Sequence, residues 1–305
     1  MSRQREDSPV PDYTLLGGGY QAVVSELGGA LRALRHGDRD LVASWPEGGP
    51  IPYYSGTMLA PWPNRVVGGT YAFGDGRHRL PVNEPERGHA LHGLVAGVRW
   101  ECAEVLSVED EHGHVRLTRT IEPVEGYPFR IALEVRHALS PAGLTTTLTA
   151  QNVGDSPAPY GCGPHPWLLA GPDVREYELD LPASRVLLTD ETLAPTESAG
   201  VADTPYDFRR ARLIGETAVD HAFTEIATGR VTVRGPAGEV EMTWDATALP
   251  WVQICTGTGL GHEGLAVEPM TCPPDAFNSG VDLIVLQPGD KHEATWTISV
   301  PGRDA

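Results

Sequence analysis

Several familiar signals are missing from this sequence. Its four cysteines, Cys102, Cys162, Cys255 and Cys272, are widely spaced with no C-x-x-C pair. Neither a dense disulfide framework nor a zinc knuckle is indicated, and reduced, mostly buried thiols are expected. No apolar run approaches the length that spans a bilayer. The basic residues form no dense cluster, and with a formal net charge of -18 and a sequence pI near 4.9 the chain would repel a nucleic-acid backbone. The opening MSRQREDSPVPDY has two arginines but no apolar stretch after them, unlike a signal peptide. Residues 1–12 therefore read as a flexible, solvated arm, and the protein as cytoplasmic with no membrane partner. Biased linkers, low-complexity blocks and fixed-period repeats are also absent, so residues 13–305 read as a single domain. No segment has the pattern of a helix of three turns.

What is plentiful is glycine and proline, at 35 and 27 residues, which suits many turns and few long helices. From Tyr13 onward, short runs of β-branched and apolar residues alternate with polar ones and break at Gly, Pro, Asn or Asp. That rhythm predicts strands at Tyr20 to Leu27, Val115 to Glu122, Arg130 to Leu139, Leu144 to Asn152, Arg230 to Arg234, Glu239 to Trp244, Trp251 to Thr256 and Ala294 to Val300. The fold class this implies is all-β, a large antiparallel β-sandwich. Two long irregular stretches, Trp45 to Pro63 and Arg77 to Leu94, exceed ordinary connections; on a β scaffold such loops often carry function.

Polar, titratable residues gather among glycines, prolines and aromatics in five strings: APWPNRV around Arg65, GHALHGL around His92, GCGPHPWLL around His165, VDHAF around Asp220, and LAVEPMTCPPDAFNSG around Glu268. His165 stands between two prolines, which hold its backbone extended. Glu268 follows the apolar run Gly264 to Val267 and precedes a proline, so it reads as a carboxylate delivered to a strand end where pairing stops. Taken singly, each string is as compatible with a structural role as with a chemical one.

Together, in this order and at these distances, the strings resemble the aldose 1-epimerase (galactose mutarotase) family. Asn64-Arg65 resembles its N-R element, Leu91-His92-Gly93 its L-H-G element and His165-Pro166-Trp167 its H-P-aromatic element. Asp220-His221-Ala222-Phe223 resembles D-H-x-F, and Glu268 with Pro274-Asp275-Ala276-Phe277-Asn278 the glutamate followed by P-D-A-x-N. The resemblance implies a β-sandwich that interconverts anomers of a free aldose. It makes Glu268 the general base and His165 the general acid, with Asn64, Arg65, His92 and Asp220 holding the sugar.

Such chemistry needs one proton taken from the C1 hydroxyl and one given to the ring oxygen, so no cofactor or metal is required. An imidazole of ordinary pKa, about 6.5, is roughly one-quarter protonated at pH 7 and suits the acid's part. The context of Arg65 and the Thr271-Cys272-Pro273-Pro274 segment depart from the best-known galactose enzymes, which leaves galactose preference open. A hexose 6-phosphate or sulfonated hexose would need cations at its far end, and Arg77, Arg79, Arg87 and Arg99 lie in or beside the loop near His92.

Three other readings stand beside this one. Asp220 and Glu268 could be the carboxylate pair of a glycoside hydrolase. His89-x-x-His92 and Cys162-x-x-His165 have spacings seen in zinc sites, although residues three apart on extended chain face opposite ways. A carbohydrate-binding module without activity would keep the same residues. Oligomeric state is not encoded in any pattern found.

Overall fold

The computed structural model describes residues 10–108, 111–258, 261 and 263–302. The expected arm lies outside the described residues as far as residue 9. Its inner boundary falls short of residue 12, because Asp12 opens the strand Asp12–Gly17, pairs with Ser25 and meets Arg32 at 2.6 Å.

The largest sheet has nine antiparallel strands in the order Glu101–Val108, His112–Ile121, Ile131–Ser140, Gly143–Asn152, Lys291–Ser299, Gly238–Trp244, Arg230–Gly235, Glu178–Asp180 and Arg212–Leu213. Lys291–Ser299 joins its halves, pairing with Gly143–Asn152 on one side and Gly238–Trp244 on the other. A second sheet of six strands runs Trp167–Leu168, Leu265–Met270, Trp251–Cys255, Asp220–Ile226, Ala183–Thr189 and Pro195–Gly200. A four-stranded sheet built from residues 12–40 packs on the first strands of the large one.

Period-2 alternation explains why these segments are strands. Ile131, Leu133 and Val135 are buried while their neighbours are not, and Leu144, Leu148 and Ala150 repeat the pattern on the next strand. These side chains join Val231, Val240 and Met242 from the nine-stranded sheet and Phe223, Val252, Ile254 and Val267 from the six-stranded one in one core. Each fully buried aliphatic side chain contributes roughly 1.5–3 kcal/mol. The result is the expected all-β sandwich. The one α-helix among the described residues is a single turn, Ala276–Ser279, and no helix is long and apolar enough to cross a membrane.

Candidate active site

In the six-stranded sheet, Val252, Ile254, Val267 and Phe223 face the core. Alternation then sends Asp220, Gln253, Cys255 and Glu268 to the opposite face. Register brings them together: Gln253 stands opposite Glu268 on one side and Ala222 on the other, while Asp220 stands opposite Cys255. These four side chains floor a cavity of about 270 Å³.

Glu268 is not at a strand end, contrary to the sequence expectation. Pairing between Trp251–Cys255 and Leu265–Met270 continues through Pro269 to Met270. The N–H of Val267 points to the Pro166 carbonyl, on the side away from Trp251–Cys255. Pro269, two residues on, turns its hydrogen-free nitrogen the same way, so the ladder beside Glu268 loses no donor.

His165 comes from the segment alongside. Gly163 pairs with Leu59 and lies against Pro269, where a Cβ would fall 2.6 Å from the Pro269 carbonyl oxygen. Glycine permits this close approach, and with it His165 Nε2 lies 3.4 Å from Glu268 Oε1. Backbone bonds fix the histidine further: its N–H donates to the Thr57 carbonyl and its own carbonyl accepts from Gly56.

The remaining walls come from the two long stretches, which supply Tyr53, Tyr54, Glu84, Arg87 and His92. Arg65 pairs in register with Leu91, and the His92 N–H donates to the Asn64 carbonyl. Arg65 is anchored from the far end of the chain as well. Its carbonyl accepts from Asp275 N–H, while the Asp275 carboxylate accepts from Val67 N–H and from the Asn278 amide. The P-D-A-F-N string is thus a clamp on Arg65 rather than a wall of the cavity.

Charge is arranged unevenly. Glu268 is 2% exposed, and burial, helped by the negative charge of Asp220 and opposed by Arg65, pushes its carboxyl well above the usual carboxylate range. Glu268 Oε2 has no hydrogen-bond partner among the described residues. Burial also holds His92 well below its ordinary value, with the neighbouring His165 and Arg65 adding to the effect. Its Nδ1 accepts the Asn64 N–H at 3.3 Å, so the ring proton belongs on Nε2.

Arg65 donates from Nε and Nη2 to the two oxygens of Glu84, both at 2.8 Å, and from Nη1 to Asn64 Oδ1 at 3.3 Å. Burial disfavours the Glu84 carboxylate, yet the bond and charge of Arg65 and the adjacent Arg87 outweigh it and hold its pKa below the usual range. The Gln253 amide donates to Asp220 Oδ1 at 2.6 Å.

All six residues expected from sequence, Asn64, Arg65, His92, His165, Asp220 and Glu268, line this one cavity. Sequence reasoning missed Tyr54, Glu84 and Gln253. Gln253 had a legible signal, an amide side chain set between the apolar residues Val252 and Ile254 of the strand Trp251–Cys255.

The two zinc-like spacings do not converge. His89 is occupied by Gly68 N–H and by Thr192, and the Cys162 thiol is buried against Tyr160 and Thr271, pushed up to about 12. A different set does converge, because His92, His165 and Glu268 offer ligand atoms within 4.8 Å of one another. Coordination through His92 Nε2 would move its ring proton to Nδ1, against the Asn64 N–H, so the local hydrogen bonding opposes a metal there. Of the four arginines noted beside the loop, Arg87 reaches the cavity. Arg77 and Arg79 are exposed on a hairpin, and Arg99 pairs with Glu26 at 2.7 Å.

Comparison with known proteins gives a consistent picture. A family model described as aldose 1-epimerase matches residues 11–299. The chain is 36% identical over 289 residues to the uncharacterized protein YihR of Escherichia coli, covering 93% of this chain and 92% of that one. It is 26% identical over 280 residues to galactose mutarotase of Sus scrofa, covering 80% and 78%. Among solved structures, a putative aldose 1-epimerase from Escherichia coli superposes with a TM-score of 0.80 at 23% identity, covering 96% of this chain and 100% of that one. Galactose 1-epimerase from Lactobacillus acidophilus gives 0.82 at 20% identity, covering 97% and 96%. These two structural likenesses concern the fold.

Proposed function

The chain belongs to the aldose 1-epimerase family, and on that premise we propose that it interconverts the α and β anomers of a free aldose by opening and closing the sugar ring. The observation that carries this reading is the pairing of Glu268 and His165 across 3.4 Å in one cavity. The C1 hydroxyl oxygen and the ring oxygen are bonded to the same carbon, so a base and an acid serving them must be close neighbours.

Glu268, made more basic than an ordinary carboxylate by its burial, takes the proton of the C1 hydroxyl. The C1–O5 bond breaks as His165 gives a proton to O5, leaving an aldehyde at C1 and a hydroxyl at C5. After rotation about C1–C2, O5 attacks the other face of the aldehyde. His165 takes back the O5 proton, Glu268 returns its proton to the C1 oxygen, and both residues end as they began. His92, with its proton on Nε2, serves as a fixed hydrogen-bond donor to the sugar. Asn64, the outer hydrogens of Arg65 and the Asp220 carboxylate hold the remaining hydroxyls. No step calls for a cofactor.

A hydrolase would need a second carboxylate across the scissile bond. Here the near neighbour of Glu268 is an imidazole, and Asp220 is held by Gln253. The sugar's far end is less constrained. Arg87 is the loop arginine placed to meet an anionic substituent, and it already donates to Glu84 at 2.7 Å.

The test is exchange NMR of anomeric signals over glucose, galactose, glucose 6-phosphate and a 6-sulfonated glucose. Acceleration of at least one supports the reading and identifies the substrate class. Sugar binding without acceleration of any would replace the enzyme by a binding module.

A further inference from the structure

Tyr53 and Tyr54 follow one another in left-handed backbone, with φ of 44° and 56°. Side chains with a Cβ avoid that region, and a consecutive pair is held only when the surroundings over-determine it. The surroundings here are the site itself. Tyr54 N-terminal to the turn's end is tied through its carbonyl, which accepts from both the N–H and the hydroxyl of Thr57. The Tyr53 carbonyl accepts from the Trp167 indole at 3.2 Å. Gly56 and Thr57, immediately beyond, are the residues that bond the His165 backbone. The strained turn and His165 are therefore one mechanical piece.

The side chains close a second circuit. The Tyr54 ring meets the edge of His92 at 4.5 Å between centroids and stacks near His165 at 6.1 Å. His92 meets His165 at 5.0 Å, His165 meets Trp167 at 5.7 Å, and Trp167 returns to the tyrosine turn through its indole bond. Tyr54, with Asn83, Leu91 and His92, also lines both the main cavity and a neighbouring one that includes Trp62 and Leu94.

We infer that Tyr54 is a positioning residue for the reaction: its ring, cocked by the strained turn, sets the His92 and His165 imidazoles and keeps water off their inner faces. This rests on the mutarotase reading for its kinetic consequence, but the placement of the rings does not depend on it. The ring, rather than the hydroxyl, carries the effect.

The experiment compares the full-length parent with Tyr54→Phe and Tyr54→Leu. Imidazole NMR titrations without sugar are followed by anomer exchange on the best sugar of the panel. Tyr54→Phe is expected to leave histidine titration and kcat near the parent's. Tyr54→Leu is expected to lower kcat by roughly 10²-fold with KM little changed, the effect of a misplaced catalytic group. In the same variant His92 should titrate nearer its ordinary value as water reaches it. Parental kcat and parental histidine titration in Tyr54→Leu, or equal losses in both variants, would overturn the inference. Should the leucine variant not fold, Tyr54→Met serves in its place. If the parent itself accelerates no sugar, the functional reading fails, and the histidine titrations alone decide the positioning.

Discussion

The residue that best shows how this site is built is Glu268. For a carboxyl that is 2% exposed, facing Asp220 and without a hydrogen-bond partner at Oε2 among the described residues, ionisation is disfavoured. Its folded pKa is raised, so the folded protein binds this proton more tightly than the unfolded chain. Stability is then lost as pH rises from the unfolded value of about 4.3 toward the folded one. Glu268→Gln removes the charge and keeps the shape. Its melting temperature is expected to exceed the parent's at pH 8, with the gap narrowing toward pH 5, and calorimetry at the two pH values checks this. A destabilised Gln variant would mean the carboxylate has favourable partners. His92 shows the complementary device, a ring kept neutral by burial and fixed in one tautomer by a backbone N–H.

At the scale of elements, the strands were legible because alternation with period 2 survives in sequence; Ile131–Ser140 and Gly143–Asn152 match the expected runs within a residue or two. The position of Glu268 within its strand was misread because a proline looks like a stop from sequence, whereas only pairing shows which way its nitrogen faces. Glu84 was invisible for a different reason. It sits in a turn whose composition is ordinary, and its partner Arg65 is 19 residues away. Removing one member of a buried ion pair leaves the other charge stranded, so Glu84→Ala should lower the unfolding free energy by about 3 kcal/mol. Adding Arg65→Ala should cost less than it does alone, because the stranded charge is gone. Urea titration of the four proteins measures the coupling, and strict additivity would show that the pair acts as two independent surface charges. Tyr54 had no sequence signal either, since left-handed backbone at a tyrosine is set by tertiary bonds and not by local preference.

On the scale of the whole molecule, composition and charge argued against a nucleic-acid partner and pointed to an all-β chain, and five short strings pointed to the family. Sheet order was not legible, because the pairing of Lys291–Ser299 with Gly143–Asn152 spans roughly half the chain and leaves no local trace. Global stability also depends on pH through a buried group remote from the cavity. His137, fully buried between Thr146 and the Gly29 carbonyl, is pushed down by burial to about 4. A lowered histidine contributes stability above its unfolded pKa of about 6.5 that is lost as pH falls toward 4. Between pH 7 and pH 5 this group alone should remove about 2 kcal/mol, and a His137→Gln variant should show a drop smaller by that amount in urea unfolding. An equal pH dependence in the variant would assign the acid sensitivity elsewhere.

The central claim, that Glu268 and His165 exchange protons with a sugar at C1, is tested most directly by exchange NMR of a pre-equilibrated aldose with Glu268→Gln and His165→Asn, at matched concentrations of folded protein. Each substitution is expected to slow anomer exchange by about 10²–10⁴-fold while the sugar still shifts protein resonances on binding. Parental exchange rates in either variant would contradict it.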